Sequence, residues 1–358
     1  MPVHTSPSNA QASCAVSLNA AGSIVHFWRA SALAVRLRRT ASAQPSSCQH
    51  VCLHVHVDAH QYHTIRRAGM LPALHSIWDS IAPYPPTPPM RVRGRGVGVF
   101  QETPAIWLKR IQALRALATW HASVLQLDSD AFPCHGWASL FDTRAALQVQ
   151  VMSARPAAFF SGSGGDPELP APLGLAASER ARWAGFHERN LGFVMLHTAS
   201  ARARGLLSAF QREFIRQVND SSLTKLVSDQ APWRSALYSA LHSSARPALR
   251  EHLLPSSTVC RPTVASLEEH YAAHGRGRCG PCLFMHHKHV EDTMVAGAWG
   301  GLENATWATA SWPWRKQQLL ASLPGDQLRS RSQLQCRLGS RAAPPAPHTT
   351  HEPWDLPG

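Results

Sequence analysis

The stretch Val51-Cys52-Leu53-His54-Val55-His56-Val57 alternates strictly, with Val51, Leu53, Val55 and Val57 on one face, which predicts a strand. A helix is expected at about 66–81, followed by a proline-rich turn from Pro83 to Pro89, and Val97 and Val99 suit another short strand. The next segment is the most legible. Thr103 is a good N-cap and Pro104 a good first helical residue. Trp107, Ile111, Leu114 and Ala118 then fall at i, i+4, i+7 and i+11, one apolar stripe, with Lys109, Arg110 and Arg115 off it. After Ala122 comes Ser-Val-Leu-Gln-Leu, a short apolar run fit for a central strand, ending in Asp128-Ser129-Asp130. Helix, tight turn, buried strand and an acidic pair at the strand's carboxyl end is the order an α/β nucleotide-binding sheet requires.

Further along, 161–173 is a Gly/Pro/Ser loop and Gly192 to His197 suits a strand. Leu207, Phe210, Phe214 and Val218 share one helical face. Another helix is expected from Asp229, with Pro232 in its first turn and Trp233, Leu237 and Leu241 buried. Cys282 to Met285 is a last short strand before a histidine cluster, and from about 323 the composition turns to Ser, Pro, Arg and Gly. The pattern predicts one α/β domain over 47–318, a disordered or targeting leader over 1–46 and a disordered tail over 319–358.

Composition narrows the partners. The chain has 358 residues and a net charge of +13, from 35 basic and 22 acidic side chains, which favours anionic ligands. The basic residues are spread out, with no long Lys/Arg block, so nucleic acid is not expected. No acidic residue precedes Asp58, and Arg29, Arg36, Arg38 and Arg39 lie among Ser and Ala, as in a plastid or mitochondrial transit peptide. The apolar patch from Gly22 to Trp28 suits a secretory leader instead. No run of 18 apolar residues occurs, so no transmembrane segment is evident. The eight cysteines do not amount to a disulfide scaffold in a chain of this length. Asn219-Asp220-Ser221 and Asn304-Ala305-Thr306 are glycosylation sequons that also arise by chance.

Carboxylates at i and i+2 beyond a strand can reach one hard cation, which makes Asp128 and Asp130 candidate ligands for Mn²⁺ or Mg²⁺. Transfer of a sugar from a nucleotide diphosphate needs such a cation, because negative charge builds on the leaving group. The run from Trp107 through Lys109 and Arg110 to Asp128-Ser129-Asp130 resembles the nucleotide-diphospho-sugar transferase family of plants and algae, which includes cell-wall arabinosyl- and xylosyltransferases. Asn190-Leu-Gly192-Phe193, Asp229-Gln230 and Phe284-Met-His286-His287-Lys288-His289 match that family's later motifs in order, over about 104–300.

The resemblance implies a GT-A-like domain with a mixed, mostly parallel central sheet, and a glycosyltransferase moving a sugar from a nucleotide-sugar donor to a glycan or glycoprotein hydroxyl. It also implies retention of anomeric configuration and a secretory or Golgi setting. Asp128 would touch the ribose or the metal, Asp130 would be the firmer ligand, and His286 or His287 would add a nitrogen. Lys109, Asn190, Gly192 and Lys288 would line the donor, with Lys288 neutralising diphosphate oxygen. Asp229 and Gln230 open a helix whose N-terminus favours anions, and either could hydrogen-bond the transferred sugar beside its anomeric carbon. Asp229 also suits a plain N-cap. The segment 51–100 and the loop after Asp130 depart from the family pattern.

Other chemistries compete. A catalytically inactive glycan-binding or scaffolding relative would keep the same fold. Cys279-Gly-Pro-Cys282 has thioredoxin-type spacing, although it falls late in the chain, where a structural disulfide or a turn fits better. Those cysteines with His286, His287 and His289 would make a zinc site, and a zinc- or nucleic-acid-binding protein is the corresponding alternative function. Cys48, Cys52, His54, His56, His60 and His63 form a second cluster, with Cys52, His54, His56 and Asp58 on one strand face. Gly94, Gly96 and Gly98 lack the following helix of a phosphate loop, and no Gly-x-Ser-x-Gly elbow occurs.

Overall fold

A computed structural model describes residues 13–40, 48–84, 103–151, 177–219, 229–242, 249–260 and 269–286, apart from scattered positions within those ranges, together with Cys336. The expected strand at Val97 and Val99, the glycines 94–98, the loop 161–173, and His287, Lys288 and His289 lie outside the described residues.

The chain opens with β1 (Cys14–Ala20), α1 (Ile24–Thr40), β2 (Val51–Val57), α2 (Ala59–Arg67), α3 (Leu71–Leu74) and β3 (Ser80–Pro83). It continues through α4 (Thr103–Trp120), β4 (Ser123–Leu127), β5 (Ala131–Pro133), β6 (Leu147–Val151) and β7 (Arg189–Leu196). The helices Ala201–Asn219 (α5) and Gln230–His242 (α6) follow, then β8 (Glu251–Leu254), β9 (Val259–Cys260) and β10 (Phe284–His286). Seven strands make one sheet in the order β3-β2-β1-β4-β7-β6-β8, and a small second sheet runs β5-β10-β9. In the large sheet β3, β2, β1 and β4 are mutually parallel, β7 is antiparallel to both β4 and β6, and β8 is parallel to β6. The fold is therefore a mixed, mostly parallel α/β sheet flanked by helices, as the family resemblance implies.

The expected leader is corrected. β1 occupies the middle of the sheet between β2 and β4, and α1 packs its Phe27, Leu33 and Leu37 onto Val16, Leu18, Val55 and Leu125. The absence of acidic residues there is solved across the chain: Arg38 pairs with buried Asp79, and Arg36 Nε donates to Pro133 O at 3.3 Å. The expected helix over 66–81 is also corrected. α2 begins just after Asp58 and ends at Arg67, because Gly69 takes a left-handed φ of 65° and Pro72 starts a separate single turn.

Both faces of β2 are buried, and Cys52, His54 and His56 lie on the side of the sheet where α4 packs against β1. Strict alternation here marks two chemistries, aliphatic toward α1 and polar toward α4, where a strand with one wet face would be the simpler expectation. The polar side carries Tyr84 Oη donating to Asn19 Oδ1 (3.1 Å) and Asn19 Nδ2 donating to Gln126 Oε1 (3.0 Å). Burial pushes His56 and His121 down to about 4 and holds His54 well below the usual imidazole value.

The cysteine expectation fails as well. All eight are paired, as Cys14–Cys48, Cys52–Cys336, Cys134–Cys279 and Cys260–Cys282. Each bond joins segments that sequence spacing does not connect, so spacing alone could not reveal them. Cys279 and Cys282 take different partners, which removes the redox-pair and Cys279/Cys282 zinc readings for this oxidised state. The tail expected over 319–358 is tied at one point, Cys336 to Cys52.

Candidate active site

The buried run of β4 ends at Leu127, and one further ladder bond, Asp128 N–H to Gly192 O at 2.8 Å, fixes Asp128 at the strand's carboxyl end. Ala131 N–H then donates to Asp128 O at 3.0 Å, closing a tight turn that leads into β5. β5 pairs with β10 so that His286 stands opposite Ala131. The acidic turn thus bridges the two sheets, and the small sheet carries a histidine to it. One ligand atom from each of Asp128, Asp130 and His286 lies within 4.8 Å of the others, and His286 Nε2 is 3.2 Å from Asp130 Oδ1.

Asn190 and Gly192 serve this cluster. Asn190 Nδ2 sits 2.9 Å from His286 Nδ1, while Asn190 Oδ1 accepts Gly192 N–H at 2.9 Å, so the buried amide holds the imidazole ring. Gly192 faces the cluster closely: a Cβ there would stand 2.1 Å from Asp128 Oδ2 and 2.8 Å from His286 Cε1. Asn190 positions a ring, and Gly192 leaves room for the carboxylate.

Arg110 is the site residue the sequence pattern conceals. It lies off the apolar stripe of α4, where a basic side chain ordinarily faces water. Here its guanidinium bridges Asp128 Oδ1 (2.5 Å) and Asp229 Oδ2 (3.1 Å) and donates to Leu191 O (3.2 Å). Burial would lower its pKa, but Asp128 and Asp229 outweigh that and raise it, so the cation is permanent. Asp229 is nearly buried, and burial raises its pKa against the opposing pull of Arg110. Gln230, at the first position of α6, accepts Leu191 N–H through Oε1 at 3.3 Å. Asp229 and Gln230 therefore face the acidic turn across β7.

Lys109 lies beside Arg110 but turns to the carboxyl ends of β1 and β2. Its Nζ donates to Asp58 Oδ1 at 2.7 Å, and Asp58 Oδ2 takes the N–H of Gly22 at 2.6 Å. The second cluster expected on β2 does not form one site: Asp58 pairs with Lys109, His56 packs on Tyr84, and Cys52 is bonded to Cys336.

Two carboxylates are oxygen donors of the kind Mn²⁺ and Mg²⁺ take. His286 would add its Nε2 lone pair, with the ring proton on Nδ1 and the Asn190 amide turned to accept it. The absent side chain at Gly192 keeps the carboxylate of Asp128 in place, so the residues fit a divalent cation.

A scan against protein-family profiles finds no match, and no curated protein matches the sequence. Among solved structures the chain is similar to the bifunctional glycosyltransferase WbbM, at 11% identity and TM-score 0.45, covering 89% of this chain and 52% of that one. It thus spans about half the length of that protein. It is also similar to GlyE of Streptococcus pneumoniae, at 12% identity and TM-score 0.40, over 86% of this chain and 63% of that one. Mouse xyloside xylosyltransferase 1 matches at 12% identity and TM-score 0.39, over 77% and 98%. Among the described residues, no helix is long and apolar enough to cross a membrane.

Proposed function

We propose that this chain is a glycosyltransferase that moves a sugar from a nucleotide-diphosphate donor to a hydroxyl of a glycan or glycoprotein. The observation that carries this is the meeting of Asp128, Asp130 and His286 at the carboxyl ends of the parallel strands, within 4.8 Å of one another. In open α/β sheets that edge is where nucleotides bind.

Asp128, Asp130 and His286 would hold Mn²⁺ or Mg²⁺, which when bound supplies Lewis-acid stabilisation of charge on the departing diphosphate. The protein's own groups do the rest. Arg110 pairs with and orients Asp128 and Asp229, and Asn190 fixes the ring of His286. Lys109, with Lys288 from the adjoining segment, supplies positive charge for the phosphates. Asp229 and Gln230, at the start of α6, offer acceptors to the sugar hydroxyls, which places the anomeric carbon against the acidic turn. Retention of anomeric configuration is part of the proposal and follows the resemblance to the plant and algal family. Disulfides persist in oxidising compartments, which supports a secretory or Golgi setting.

The test is nucleotide-sugar hydrolysis across a donor panel with Mn²⁺, comparing the wild type with Asp130→Ala. Turnover should require Mn²⁺ and fall at least a hundredfold in the variant. Equal turnover in the two proteins overturns the proposal.

A further inference from the structure

A second cluster of metal-ligand residues lies away from the acidic turn, on the α4-covered side of the sheet. Cys52 and His54 point from β2, and His121 sits two residues before β4, at the opposite end of that strand from Asp128. Cys52 Sγ and one ring nitrogen each of His54 and His121 lie within 4.8 Å of one another. Cys52 is also bonded to Cys336, whose sulfur groups with Cys52 and Asp79 beside the two imidazoles.

All four residues are buried. Nε2 of His54 has no hydrogen-bond partner among the described residues, although the side chain is only 6% exposed. A buried polar atom left without a partner costs on the order of 1–3 kcal/mol. The two imidazoles approach edge to face, with ring centroids 4.8 Å apart. Ser13 Oγ lies 3.0 Å from His121 Nδ1, and a proton on Nδ1 would leave Nε2 as a lone-pair donor, the arrangement that orients metal-binding histidines.

We propose that reduction of Cys52–Cys336 opens a tetrahedral site of two thiolates and two imidazoles for Zn²⁺ or a similar ion. A covalent S–S bond is about 2.0 Å long. Two sulfurs bound to zinc at about 2.3 Å in a tetrahedron stand about 3.8 Å apart. The sulfurs therefore part by about 2 Å as the Cys336 side chain rotates from Asp79 toward the two imidazoles. In the reducing step a phosphine takes up the oxygen of one water as the S–S bond breaks. The water's two protons go to the two sulfurs, giving two thiols and a phosphine oxide. Metal binding then releases both thiol protons to solvent. The proposal does not depend on the glycosyltransferase reading, because the two sites share no residue and differ in donor chemistry.

The experiment titrates Co²⁺ into the full chain, with Mn²⁺ present throughout to fill the oxygen site, before and after phosphine reduction. The expected result is one equivalent of intense visible cobalt bands with sulfur-to-cobalt charge transfer, seen only after reduction and displaced by Zn²⁺. Cys336→Ser and His121→Asn should each weaken cobalt binding at least tenfold, while Cys279→Ser leaves it unchanged. A reduced wild-type protein without the tetrahedral cobalt spectrum overturns the proposal, and this needs no variant to fold. So does a spectrum of equal strength in Cys336→Ser.

Discussion

Gly192 stands directly across the β4–β7 ladder from Asp128, close enough that a single added carbon would lie 2.1 Å from the carboxylate oxygen Oδ2. The bare backbone at that position is what lets the acidic turn face the imidazole of His286. Gly192→Ala should therefore push Asp128 out of place without disturbing the strand. Mn²⁺ affinity, measured by calorimetry, should fall at least tenfold while the circular dichroism spectrum stays that of the wild type.

Arg110 compensates two carboxylates at once. Removing one partner of a buried ion pair typically costs about 3–5 kcal/mol, because the remaining charges lose their compensation. Asp128 is partly exposed, so the lower end applies. Arg110→Met should lower the unfolding free energy by about 3 kcal/mol in a denaturant titration. Arg110→Lys keeps one positive charge but cannot span both acids. It should recover much of the stability and little of the turnover.

Burial holds His56 and His121 at about 4, below the value of about 6.5 expected in the unfolded chain. Between those values the unfolded state binds more protons than the native state, so stability rises with pH and is lost as pH falls through about 6.5. At about pH 5 each histidine should cost on the order of 2 kcal/mol relative to neutral pH. Melting temperatures measured from pH 7.5 to pH 5 should fall steadily. His56→Gln should make that decline shallower.

The Cys260–Cys282 bond closes 22 residues just ahead of the strand that ends in His286. A loop of that size is stabilised by about 3 kcal/mol in the chain-entropy account. Replacing both cysteines with alanine should loosen β10 and weaken Mn²⁺ binding, while the core of the large sheet keeps its hydrogen-exchange protection. Exchange measured segment by segment would show protection lost first around residues 258–286.

The parts of this fold legible in the sequence are those where one pattern has one cause. The stripe from Trp107 to Ala118 and the run of Ser123 to Leu127 give α4 and β4 almost to the residue, because each buries a single apolar face or is wholly buried. β1 and α1 were hidden. Cys14 to Ala20 mixes Ser17 and Asn19 into a central strand, and α1 finds its acidic partner in Asp79, far along the chain. Within the site, Asp128, Asp130 and His286 were visible as residue types that bind cations, and the fold brings them together. Arg110 was not visible, since its position on the helix is that of an ordinary solvated base. Its role depends on Asp128 and Asp229, brought together only by the folded sheet.

The central place of β1 sets a limit on how the polypeptide can be matured. A peptidase that cut anywhere in 14–40 would break the strand to which both β2 and β4 are bonded, or leave it attached only through Cys14–Cys48 and its ladder bonds. Any targeting sequence that is removed from the working protein must therefore end before Cys14. The same dependence applies during synthesis: β1 leaves the ribosome well before β4, and it is enclosed only when β4 arrives about a hundred residues later. In the interval its apolar side needs protection from other chains.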